Sequence, residues 1–76
     1  MQNKSIDILV FKTNIKRREQ LNEIRSYLDP EPQVIKWNVD FHDSDKILRI
    51  ESLGLQPAII ESLIREAGYY CEELKD

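Results

Sequence analysis

The sequence predicts one α+β domain, residues 1–76, in which a four-stranded antiparallel sheet carries two helices on one face. Three observations lead there. Residues 18–28 and 57–67 place apolar side chains at spacings of three and four, the pattern of helices that bury one stripe. Residues 35–41 and 46–52 alternate apolar and polar side chains, the period of a strand with one wet face. Prolines and glycines fall between these stretches, save Pro57, which opens one of them.

Taken in order, residues 6–11 read Ile-Asp-Ile-Leu-Val-Phe, a short β-branched and aromatic run with apolar groups on both faces, expected to be a central strand. Residues 13–16 make the turn into the first helix, with Thr13 or Asn14 placed to cap it by accepting from an unpaired helix N–H. The helix stripe is Leu21, Ile24, Tyr27 and Leu28, and it ends at Asp29-Pro30-Glu31-Pro32, where proline removes a donor and restricts the residue before it. Ile35, Trp37, Val39 and Phe41 then alternate with Lys36, Asn38 and Asp40. A polar turn, His42-Asp43-Ser44-Asp45, joins this strand to the next, in which Leu48 and Ile50 alternate with Arg49 and Glu51. Pro57 is placed for the first turn of a helix whose stripe is Ile59, Ile60, Leu63, Ile64 and Ala67, and Gly68 stands where a helix end turns left-handed. Residues 69–74 form a last short strand.

The order strand, helix, strand, strand, helix, strand makes two interleaved strand-helix-strand units with right-handed crossovers, a ferredoxin-like βαββαβ arrangement. The expected strand order is fourth, first, third, second. Parity puts Leu9, Phe11, Trp37, Val39, Leu48, Ile50, Tyr69 and Cys71 on the face under the helices. Ile8, Val10, Ile47 and Tyr70 fall on the open face, a candidate protein interface.

Composition narrows the function. With 41% hydrophobic and 33% charged residues the chain is ordinary for a folded domain. A formal charge of −3 gives no footprint for DNA or an anionic membrane. The single cysteine, Cys71, has no internal disulfide partner, which points to a reducing compartment, the cytoplasm. Residues 1–7 are polar and lack the apolar segment of a signal peptide, and no run is long enough to span a bilayer, so neither export nor membrane insertion is expected.

The whole chain resembles the heavy-metal-associated domains, the fold of small copper chaperones and of soluble modules of metal-pumping ATPases. The resemblance rests on Phe11-Lys12-Thr13-Asn14-Ile15, Trp37-Asn38-Val39-Asp40, Asp45-Lys46-Ile47-Leu48 and Ala67-Gly68-Tyr69. A subgroup of that family carries the lead-in T-N-I-x-C-x-x-C. Aligned on it, the two metal-binding positions fall on Arg17 and Gln20, and the family's apolar helix positions fall on Ile24, Tyr27 and Leu28. Family chemistry needs two soft thiolates there, because Cu(I) prefers sulfur. Arginine offers a metal no lone pair, and glutamine offers a weak, hard oxygen. Cofactors and metals are therefore expected to be absent.

Other chemistry is thin. His42 with Asp40, Asp43 and Asp45 matches no zinc or calcium spacing and reads as a plain turn. A lone histidine leaves little for acid–base work, so no catalytic residues are expected. RNA-recognition modules share the topology, but Lys46-Ile47-Leu48-Arg49-Ile50 lacks their glycine and aromatics. Three readings stand. The first is a non-catalytic interaction module that has lost its thiolate site and binds a protein partner or itself, through the open face or the edge strand over residues 33–41. The second is a residual copper-handling role through unusual ligands or by docking to a metal transporter. The third is a small-anion sensor using Lys16, Arg17 and Arg18 beside free helix N–H groups.

Overall fold

The computed structural model describes residues 5–75; the rest of the polar N-terminal stretch, residues 1–4, and residue 76 lie outside the described residues. The elements are β1 (Asp7–Thr13), a single 3-10 turn (Arg18–Gln20), α1 (Leu21–Leu28), β2 (Val34–Asp40), β3 (Ile47–Ser52), α2 (Pro57–Glu66) and β4 (Cys71–Glu73). The four strands form one sheet in the order β2-β3-β1-β4, all neighbours antiparallel, as the topology rules require. β1 lies inside the sheet, paired with β3 on one side and β4 on the other. One of its apolar faces is covered, with Phe11 fully buried, while on the other Ile8 is exposed.

Register brings the core together. Leu9 and Trp37 both stand opposite Ile50, and Phe11 and Val39 both stand opposite Leu48. Phe11, Leu48, Ile50 and Cys71 are fully buried, roofed by Ile24 and Leu28 of α1 and Ile60 and Ile64 of α2. Burying each large apolar side chain contributes about 1.5–3 kcal/mol relative to leaving it in water. Trp37 and Val39 lie on the expected face but are only half-buried, because β2 is the sheet edge and no strand among the described residues pairs beyond it.

Two side chains depart from the sequence expectation. The β2–β3 pairing shifts between Val34 and Lys36, so that Val34 stands opposite Ser52 and Ile35 is the extra residue of a bulge. Val34 packs on the core in its place, and Ile35 is 48% exposed. Such a bulge breaks the period-two rule at one residue. Ile59 is exposed too, because the buried stripe of α2 runs through Ile60 and Ile64 and turns its neighbour to solvent.

The ends of α2 follow their residues closely. Pro57 opens it, and at its end the Tyr69 N–H reaches the Ile64 carbonyl while the Gly68 N–H reaches that of Arg65. This is a Schellman closure, and Gly68 takes the positive φ of +99° that it requires. α2 then holds the short β4: Glu61 accepts from the Glu73 N–H at 2.8 Å, and the Arg65 guanidinium donates to the Cys71 carbonyl at 3.0 Å. Pairing with β1 runs one bond past the strand, from the Leu74 N–H to the Val10 carbonyl.

Candidate functional site

The elbow between β1 and α1 is built from its two ends. At the strand end Thr13 is nearly buried, and its hydroxyl donates to the Lys46 carbonyl at 2.6 Å while accepting from the Ile15 N–H at 3.2 Å. The Thr13 N–H donates to the Asp45 carbonyl. The hairpin turn after β2 is thereby tied to the start of the loop, and Lys46 holds a positive φ of 48° there. Ile15 is fully buried and fastens the loop to the core.

At the helix end the side-chain oxygen of Gln20 accepts from two backbone N–H groups, that of Lys16 at 2.8 Å and that of Arg17 at 3.0 Å. The sequence suggests Thr13 or Asn14 as the cap, and neither serves. Thr13 is engaged with the turn, and Asn14 reaches across to accept from the Tyr70 N–H at 2.8 Å. Instead Arg17 takes the extended cap conformation, and Gln20 three residues on supplies half of a capping box. The other half is missing, since a guanidinium has no acceptor. A glutamine at that position was the only signal in the chain, and without Ser or Thr ahead of it the motif is easily missed.

Arg17 and Arg18, two of the elbow's three cations, meet different partners. Arg17 lies 4.0 Å from the Glu19 carboxylate, on the side where Tyr69 donates to Glu23 at 2.6 Å. That hydrogen bond, with some burial, raises the Tyr69 phenol above its ordinary pKa, and the Arg17 charge opposes the rise. Arg18 turns the other way and lies over the Phe41 ring, 5.5 Å from its centre. Lys16 is exposed.

Cys71 is fully buried opposite Thr13, and burial, with the nearby Glu61 carboxylate, pushes its thiol up to about 12. Asp40 accepts from the His42 N–H at 3.0 Å and Asp43 from the Asp45 N–H at 2.8 Å, so these carboxylates shape the turn. Among the described residues no group of three or more His, Cys, Asp or Glu side chains is placed to hold a metal ion. On the open face Ile8 is 53% and Tyr70 44% exposed, while Val10 and Ile47 are half-covered. Tyr70 donates to Glu72 on the same face. No helix among the described residues is long and apolar enough to cross a membrane.

No protein-family model and no curated protein sequence matches the chain. Solved structures do. The apo N-terminal domain of ZntA superposes with a TM-score of 0.79 at 17% identity, over 93% of this chain and 96% of that one. The N-terminal domain of PacS from Synechocystis PCC6803 gives 0.74 at 18%, over 91% and 98%. The apo HMA domain of the copper chaperone for superoxide dismutase gives 0.76 at 13%, over 99% and 74%. The chain therefore has the ferredoxin-like fold of the heavy-metal-associated domains.

The sequence-based expectation is that Arg17 and Gln20 stand at the two cysteine positions of the lead-in motif. One is a fixed cation and the other an amide whose oxygen already accepts two loop N–H groups. This donor set does not fit a soft monovalent ion.

Proposed function

We propose that this domain is a non-catalytic, cytoplasmic protein-interaction module on a metallochaperone-like fold, with no thiolate metal site. The observation that carries the reading is Gln20: its oxygen closes the elbow on the Lys16 and Arg17 amides, in the loop where the family presents sulfur. Cu(I) would have to displace those bonds for a hard donor while facing an arginine. The buried, strongly protonated thiol of Cys71 is no substitute, because a metal ligand must be a thiolate.

The open face suits contact with another protein. Ile8 and Tyr70 expose apolar surface on β1 and just before β4, next to Val10 and Leu74. Anaerobic competition of the protein with a Cu(I) chelator tests the reading. No copper is expected to transfer to the protein, and a tight one-to-one complex would overturn it.

A further inference from the structure

The edge of β2 carries a feature that the elbow does not explain. Two arginines lie over aromatic rings there: Arg18 of the 3-10 turn over Phe41, just past the strand, at 5.5 Å and Arg25 of α1 over Trp37, within it, at 5.8 Å. Between them runs a shallow groove of about 390 Å³, floored by Leu21, Trp37 and Val39. Lys36 is exposed on the same strand, and Ile35 projects beside it from the bulge. Among the charged side chains lining this groove one is a carboxylate, Asp29, against Arg18, Arg25 and Lys36. Asp29 faces the Trp37 indole N–H at 3.4 Å and Asp40 holds the His42 amide. In a chain of net charge −3 this groove carries an excess of cations, three against one carboxylate.

We propose that the outer edge of β2 is a docking site for an acidic, extended segment of another protein, which adds to the sheet as a fifth strand and sets its carboxylates against Arg18 and Arg25. This deepens the interaction-module reading and rests on it. β2 ends the sheet, so its outward backbone groups have no strand partner among the described residues. Main-chain pairing on such an edge gives affinity, and side chains at alternate positions give selectivity. Ring-stacked guanidinium groups are held in place before a carboxylate arrives.

Charge decides between occupants. A second copy pairing β2 with β2 would set two cation-rich grooves along one seam, each with Arg18, Arg25 and Lys36 against one carboxylate. The acidic β4 edge of another copy is short, and its Glu73 N–H is already taken by Glu61. Nucleic-acid bases would need open ring faces, which the arginines cover.

The test titrates the full chain with a fluorescein-labelled peptide of alternating Glu and Val, followed by anisotropy and by amide and arginine side-chain NMR. Binding is expected, with shifts confined to β2 and the Arg18 and Arg25 guanidinium groups. The double variant R18Q/R25Q should lose about tenfold or more in affinity while keeping its circular dichroism. A peptide N-methylated at alternate residues should fail to bind, which separates strand addition from simple charge attraction. Absence of binding at millimolar peptide would overturn the proposal. So would shifts centred on Ile8 and Tyr70, equal binding of a Lys-Val peptide or an oligonucleotide, or a dimer formed through β2. None of these outcomes bears on copper, so the chelator competition fails or succeeds separately.

Discussion

The hydroxyl of Thr13 donates to the backbone carbonyl of Lys46 at 2.6 Å across 33 positions of sequence, and this bond couples the loop before α1 to the hairpin turn after β2. The same oxygen accepts from Ile15, whose side chain is sunk in the core. One hydroxyl therefore satisfies a donor in the loop and an acceptor in the turn.

Replacing Thr13 by Val keeps the shape and removes the hydroxyl, leaving the Lys46 carbonyl and the Ile15 N–H without their partner. The expected loss is about 1–3 kcal/mol, seen as a lower urea midpoint with unchanged slope. A variant as stable as the parent would show that water replaces the bond freely.

Gln20→Ala should open the elbow locally and not the domain. The Lys16 and Arg17 amides lose their acceptor, and their hydrogen exchange should accelerate while that of β1 is unchanged. Global stability should fall by about 0.5–1.5 kcal/mol. Gln20→Glu keeps an acceptor in place and should preserve the protection.

The double variant R17C/Q20C should acquire Cu(I) binding that the parent and both single variants lack. It places two thiolates around a loop already held by Ile15, and removes one fixed cation. Chelator competition under reducing, anaerobic conditions reads this out. A double variant that folds and still takes no copper would mean the backbone path differs from that of the copper domains.

Alkaline pH should destabilise the domain partly through Cys71. Its thiol stays protonated to about pH 12 when folded but ionises from about 9 when unfolded. The unfolded state therefore sheds a proton first, and stability present below pH 9 falls by about 1.4 kcal/mol per pH unit above it. Tyr69, also raised, acts in the same direction at higher pH. Cys71→Ala should flatten the slope just above pH 9 in urea titrations, and a slope unaltered by that change would contradict the account. By the same burial, a disulfide reagent should label Cys71 only on unfolding.

The sequence by itself determined the order of the elements, the faces of the inner strands and the positions of Pro57 and Gly68. Those follow from periods of two and 3.6 and from single-residue backbone limits, which act within a few residues of chain. Only the tertiary structure decided that Val34 and not Ile35 enters the core, that Gln20 and not Thr13 closes the elbow, and that Arg18 and Arg25 lie on Phe41 and Trp37. Each of those depends on what one segment meets when it packs against another: a bulge needs the partner strand, Thr13 is claimed by a carbonyl in a distant turn, and an arginine is held by a ring that the fold brings alongside it.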